Sequence, residues 1–234
     1  MRNIMKAATL ESRFPLMAVE HGCIISKDAD ITVAYRVELP EVFTLTRAEY
    51  EALHSTWVKA VKVLPDYSIV HKQDIFIEES YRPDTCGEDR SFLSRSFERH
   101  FNERPYLNHT CYLFLTKTTK EHSRTTSSFN ALTRGFIIPK EIQDKDTVTR
   151  FLECCGQFER IVNDSGLVRM VRLTDREITG TETSAGIIEK YFSLSQDDTA
   201  CLQDITLGAG EMKVGDSLLC LHTLSGTEDL PSSV

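Results

Sequence analysis

The stretch of the sequence best suited to acid–base chemistry is HFNERPYLNH at 100–109, which holds two histidines and a carboxylate. Histidine titrates near neutral pH, and a carboxylate beside it can orient the ring for general acid–base catalysis. A helix end that leads into a strand explains the same residues more simply. We assign no catalytic residue, and we treat this stretch as a candidate interaction segment made of Arg99, His100, Asn102, Glu103, Arg104, Tyr106 and His109.

Motifs for nucleotides, metals and nucleophiles are missing from the sequence. The glycines between Gly208 and Gly215 lack the spacing of a phosphate-binding loop, and a turn between strands accounts for them. Neither H-E-x-x-H nor paired Cys and His spacings occur; His21 and Cys23 offer at most half of a zinc site. G-x-S-x-G is absent as well. We therefore expect no cofactor and no metal in this chain.

The seven cysteines indicate a reducing compartment. They include no C-x-x-C pair and lack the spacing of a small secreted domain. Cys154 and Cys155 are neighbours, but a helix places adjacent side chains about 100° apart, so a structural role is the simpler interpretation than a redox one.

The net charge and hydropathy limit the classes of partner that this chain is expected to bind. The formal charge of −8 repels a phosphate backbone, so we expect no direct binding to nucleic acid. No run approaches the eighteen or so apolar residues of a membrane span, and no signal peptide opens the chain. We expect a soluble, cytoplasmic protein.

The first half of the sequence predicts a hairpin followed by two helices. β-rich runs at 17–26 and 31–39 flank a polar turn. Thr46 and Glu49 form a capping box that predicts a helix ending before Pro65, and a strand region follows at 67–77. A second helix is expected after a capping box at 85–88, with an apolar stripe of Leu93, Phe97 and Phe101.

The second half continues the alternation of strands and helices. The apolar run within 107–116 predicts a central strand, and the polar stretch at 117–130 predicts a loop that a short strand at 135–139 closes. A third helix is expected from Asp146 to just before Gly166 and a strand at 168–173; the helix after Thr174 is interrupted near Gly180, and strands end the chain.

This order predicts an α+β fold: mixed, mostly antiparallel sheets with β-hairpins, packed by about four helices. Residues 1–234 are expected to form a single domain, with the loop at 117–134 as the candidate point of division.

Several long strings in this sequence resemble the N-terminal region of TraG-type conjugative-transposon ATPases of Bacteroides-type elements. Among them are VEHGCIISKDADITV at 19–33, FLSRSFERHFNERPYLNH at 92–109 and QFERIVNDSG at 157–166, with further strings at 1–16, 64–67 and 135–139. Members of that family supply energy to a type IV secretion apparatus and carry their Walker motifs, with ATP and Mg²⁺, in a C-terminal domain. This sequence contains neither motif, so no catalytic or nucleotide residue is carried over.

The resemblance implies a non-catalytic N-terminal docking and assembly domain that contacts inner-membrane components of a conjugation channel during DNA transfer. It would lie in the cytoplasm, peripheral to the inner membrane, with self-association as a further option. Two alternatives stay open: a regulatory fragment that modulates ATPase oligomers, and an enzyme with an unrecognised site near His100–His109. A binding module should present an exposed apolar patch, which the sequence does not locate.

Overall fold

A tight turn divides the first β-rich run into two strands. The computed structural model describes residues 14–28, 30–81, 91–102, 104–118, 145–193, 205–208 and 210–222. His21 and Gly22 have φ angles of 55° and 70°, which matches the positive φ that a type I′ hairpin turn requires at both central residues. The single strand expected at 17–26 is therefore wrong: β1 (Leu16–Glu20) pairs antiparallel with β2 (Cys23–Ser26).

The other elements alternate along the chain much as the sequence predicts. They are β3 (Ile31–Glu38), a short 3-10 helix (Val42–Thr44), α1 (Arg47–Val61), β4 (Ser68–Ser80), α2 (Phe92–Asn102), β5 (Pro105–Lys117), α3 (Lys145–Asp164), β6 (Arg169–Arg172), α4 (Asp175–Thr179), β7 (Gly180–Thr181), β8 (Ser184–Ala185), α5 (Ile187–Ser193), β9 (Ile205–Leu207), β10 (Met212–Val214) and β11 (Ser217–Leu219).

The main sheet has the order β1-β2-β3-β5-β4, and every pairing in it is antiparallel. Two strands pair with the same edge of β3, one after the other. β2 pairs with residues 31–33, and β6 pairs with residues 35–38. The predicted α+β class with mostly antiparallel sheets is thus confirmed. β5 lies between β3 and β4, as expected for its apolar sequence.

Helix α1 begins where the sequence predicts it. Thr46 is the N-cap: its hydroxyl accepts a hydrogen bond from the Glu49 amide at 3.3 Å, and its own amide donates to the Glu49 carboxylate at 2.8 Å. The two bonds satisfy backbone donors that a helix start leaves unpaired. The capping box expected at 85–88 lies outside the described residues; Ser91 instead stands before α2, where its hydroxyl accepts from the Ser94 amide at 3.2 Å.

The core of the first compact unit lies between α3, α1 and one face of the sheet. Phe151, Cys155, Phe158 and Val162 recur at helical spacing and are at most 1% exposed. Each fully buried large apolar side chain of this kind contributes about 1.5–3 kcal/mol. The Tyr35 hydroxyl, buried beneath α3, donates to the Cys155 carbonyl at 3.3 Å, so its polar atom does not go unpaired.

Asn163 and Arg172 attach β6 to the elements around it. Asn163 donates to the Met170 carbonyl at 3.0 Å and accepts from the Met170 amide at 2.7 Å, so the end of α3 is fixed to the strand. The Arg172 guanidinium donates to the His21 carbonyl at 3.0 Å and to that of Gly22 at 3.3 Å. The β1–β2 turn is therefore held from the side by a residue about 150 positions away.

Two compact units divide the chain, 1–174 and 175–234. The sequence predicts one domain with a candidate division at 117–134; that loop from residue 119 onward and the strand expected at 135–139 lie outside the described residues. In the second unit α4 ends at Thr179, just before the glycine at which an interruption is expected, and a small β7–β8 ribbon separates it from α5. β9, β10 and β11 form an antiparallel meander.

Candidate protein-interaction surface

The outer halves of β4 and β5 extend past the strand that supports them. β3 pairs with β5 only as far as the Val37–Cys111 pair. Beyond it, β5 pairs only with β4, from Ile75–Thr110 to Ser80–Pro105, among the described residues. We call residues 75–80 and 105–110 the outer ribbon. A two-stranded ribbon has few neighbours to bury its side chains, so its surface is available to a partner.

Helix α2 adjoins the outer ribbon and buries none of its described side chains. Leu93, Phe97 and Phe101 lie four residues apart and form one apolar stripe, while Arg95 and Arg99 lie on the opposite side. Leu93 is 77% exposed and Phe97 is 63% exposed. An amphipathic helix normally buries such a stripe; here it faces away from the core of this chain.

Aromatic rings connect α2 to the end of the ribbon. The rings of Phe97 and Phe101 are 4.5 Å apart, and the ring of Tyr81, just after β4, meets Phe101 edge-on at 6.4 Å. The Arg104 amide donates to the Phe101 carbonyl at 3.3 Å and leads the chain from α2 into β5. We call the outer ribbon, Tyr81 and α2 together the aromatic arm.

One face of the outer ribbon carries an exposed aromatic pair held by a carboxylate. The rings of Phe76 and His109 stack at 4.5 Å with an angle of 11° between their planes. His109 Nε2 lies 2.8 Å from Asp74 Oδ1, and Lys72 pairs with the same carboxylate. Partial burial disfavours ionisation of Asp74, but the hydrogen bonds from Lys72 and His109 outweigh it and lower its pKa. Leu107 extends this face and is 67% exposed.

The opposite face is organised by Glu79. Its carboxylate accepts from the Tyr106 hydroxyl at 3.0 Å and from the Asn108 amide at 3.0 Å. The hydrogen bond to this carboxylate raises the pKa of Tyr106, because it favours the protonated phenol. Three side chains of two strands are thereby fixed in one arrangement on this face.

The arrangement does not assemble an acid–base pair from the two histidines. His109 is engaged with Asp74, whereas the His100 ring lies edge-on to Phe101 at 5.4 Å. Cys111 follows His109 by two residues on the same face of β5, but burial raises the pKa of its thiol to about 11, so it carries a proton at neutral pH.

A metal site is likewise not formed by the described part of the chain, which contains no group of three or more His, Cys, Asp or Glu side chains placed to hold an ion. His21 lies exposed in the β1–β2 turn, while the Cys23 sulfur is buried and accepts from Arg172 at 3.4 Å. In the same part of the chain, no helix is both long and apolar enough to cross a membrane.

The predicted interaction segment falls within the aromatic arm. Arg99, His100 and Asn102 lie on α2, Arg104 in the bend after it, and Tyr106 and His109 on β5; Glu103 lies outside the described residues. Sequence reasoning missed the partners on β4: Glu79 for Tyr106 and Asp74 for His109. The only available signal was the alternation of polar and apolar residues in the strand, which does not specify a register.

Comparison with known families gives one match. Residues 3–55 match the family model described as "Domain of unknown function, B. Theta Gene description (DUF3875)". The described part of that stretch comprises β1 to β3, the 3-10 helix and the first half of α1. No curated protein matches the chain. The description of this family model names a Bacteroides gene and mentions no ATPase.

Proposed function

We propose that this chain is a non-catalytic docking and assembly domain of a conjugative-transfer, type IV secretion ATPase, and that it binds an inner-membrane component of the channel from the cytoplasmic side. The aromatic arm carries the proposal. An exposed apolar stripe on a helix, in ring contact with Tyr81 at the end of a ribbon, is the kind of surface that marks a protein-interaction site.

The chemistry of the arm suggests what the partner presents. Leu93, Phe97 and Phe101 provide apolar anchors at the spacing of a helix that lies in a groove. Arg95 and Arg99 lie on the opposite side of α2 and do not border the stripe. A complementary partner surface is therefore an apolar groove, and aromatic anchors in such a groove supply most of the binding energy.

The sequence resemblance to TraG-type ATPases, which runs along the whole sequence, supports the conjugation part of the proposal. The match over residues 3–55 adds only a link to a Bacteroides gene. The docking role and the transfer apparatus are both proposals, and separate experiments test them.

Affinity capture tests the assignment to a transfer apparatus. The chain serves as bait in cells that carry a complete conjugation system, and the captured proteins are identified by mass spectrometry. The proposal predicts enrichment of an inner-membrane channel component, lost when Phe97→Asp is the bait and retained with Phe43→Asp. Phe43 is a matched control because it is 85% exposed and lies outside the aromatic arm. Equal recovery of the channel component with all three baits would show that the aromatic arm is not the docking surface.

A further inference from the structure

Strand β4 leaves a long edge of the main sheet open. It has 13 residues, none of them buried, and among the described residues it pairs with β5 alone. The backbone groups that point away from β5 are a template for another strand. Proteins protect such an edge by keeping it short or by placing proline or charged side chains in it. β4 is long and contains no proline, and the charges at its centre are Lys72 and Asp74, which are of opposite sign.

The sequence of β4 is complementary to its own reverse about Gln73. In an antiparallel pair centred there, Lys72 faces Asp74 of the second copy and Asp74 faces Lys72. Val70 faces Phe76, and Ile69 faces Ile77. Each of these pairs occurs twice in a symmetric dimer, and opposite charges and apolar side chains directly across from one another stabilise antiparallel strands.

We propose that two copies of the chain associate through β4, antiparallel, with Gln73 on the two-fold axis. The resulting sheet runs continuously through both copies in the order β3-β5-β4-β4-β5-β3. On one face Lys72 and Asp74 of the two copies form an alternating square of charges. This inference concerns the sheet edge and does not depend on the proposed docking function.

Neighbouring registers are less favourable for reasons of charge. Side chains that face each other must lie on the same side of the sheet, so the two-fold axis of a symmetric pair must pass through a residue. The neighbouring registers therefore place the axis one residue to either side of Gln73. A centre at Lys72 places the two lysines opposite each other and Asp74 opposite Val70. A centre at Asp74 places the two carboxylates opposite each other. Like charges directly across a strand pair are destabilising, so Gln73 is the favoured centre.

Charge reversal tests the pairing. The wild-type chain should sediment as a dimer of twice 26.6 kDa at micromolar concentration. Lys72→Asp and Asp74→Lys should each weaken self-association about tenfold or more, because each places like charges opposite one another twice per dimer. An equimolar mixture of the two variants should dimerise again, since the two carboxylates of the first variant then face the two lysines of the second. Glu20→Lys, on the opposite edge strand β1, is the matched control and should dimerise normally.

Cross-linking tests the register and is independent of the charge variants. In the proposed dimer the two copies of residue 73 face each other at about 4.5–5.5 Å between Cα atoms, within reach of a disulfide. Gln73→Cys should therefore form a covalent dimer on mild oxidation. Val70→Cys should not, because its two copies lie six residues apart along the strands, or about 20 Å. A monomeric wild-type chain, charge variants that still dimerise, a mixture that fails to recover, or equal cross-linking at 70 and 73 would each overturn the proposal.

Discussion

Asp74 of β4 and His109 of β5 form a 2.8 Å contact across the ribbon, although 35 residues separate them in the sequence. The contact lies where β5 has left its pairing with β3, and the His109 ring is simultaneously stacked on Phe76. This small polar cluster thus fixes the base of the outer ribbon, and with it the direction in which the aromatic arm extends. The contribution of this cluster to the stability of the fold should depend on pH.

Loss of the Asp74 charge should destabilise the fold more at neutral pH than in acid. The pKa of Asp74 lies below its ordinary value of 3.8, so its ionised form stabilises the folded chain; that contribution is complete above the ordinary value and is lost as the pH falls through the lower folded one. Asp74→Asn should lower the free energy of unfolding by about 0.5–1 kcal/mol at pH 7. Urea titrations of dilute protein at pH 7 and pH 3 measure the difference.

Asp28→Asn is the control for this prediction, because Asp28 is an exposed turn residue. The free energy of unfolding of Asp28→Asn should differ little from that of the wild type at either pH. A loss of stability in Asp74→Asn that is equally large at pH 3 would mean that the carboxylate charge is not what matters.

Thiol reactivity distinguishes a docking domain from an enzyme centred on the ribbon. Burial raises the pKa of Cys111 to about 11 and that of Cys155 to about 12, whereas Cys220 is exposed. Iodoacetamide at pH 8 should therefore label Cys220 about tenfold or more faster than either buried thiol, as mass spectrometry of the peptides can measure. Labelling of Cys111 as fast as Cys220 would instead indicate an activated nucleophile beside His109.

The N-cap of α1 should make a measurable contribution to stability. Thr46→Ala removes the side-chain bond to the Glu49 amide and should cost about 1 kcal/mol. Ser55→Ala, at an exposed position within the same helix, should be neutral or slightly stabilising because alanine favours helices. Chemical unfolding measures the change in the free energy of unfolding for both variants. Equal changes would show that the capping box does not stabilise α1.

Two glycines should respond to alanine in opposite directions. A Cβ at Gly186 would lie 2.3 Å from the Gly180 nitrogen and 2.5 Å from the Ile178 carbonyl oxygen, so Gly186→Ala must displace backbone in the second unit. A Cβ at Gly156 meets nothing within 4 Å. Gly156→Ala in α3 should therefore stabilise by about 0.5–1 kcal/mol. Hydrogen exchange should show loosening of 175–193 in Gly186→Ala alone, and unchanged exchange there would contradict the close approach.

Periodicity was sufficient to predict the helices but not which of them would be buried. Leu93, Phe97 and Phe101 in α2 recur at helical spacing, as Phe151, Cys155 and Phe158 do in α3, yet the first stripe is exposed and the second lies in the core. Spacing shows that a helix has an apolar face; it does not show what covers that face. Burial depends on tertiary neighbours, which single-sequence patterns do not contain.

The candidate segment was found by residue type, while its partners depended on strand register. The two histidines and the carboxylate within 100–109 marked the segment, but Glu79 and Asp74, the partners of Tyr106 and His109, are 27 and 35 positions earlier in the chain. The β1–β2 turn was missed for a different reason. His21 adopts a positive φ that is uncommon outside glycine, so only the one following glycine signalled the turn.

The most direct test of the docking account is a binding titration with the purified channel component that affinity capture identifies. Phe97→Ala should weaken binding by about 2 kcal/mol or more, roughly thirtyfold, as expected of an aromatic anchor. Phe43→Ala, which removes an exposed ring outside the aromatic arm, should bind as the wild type does. Wild-type affinity in Phe97→Ala, or equal losses in both variants, would contradict the central claim that the aromatic arm is the docking surface.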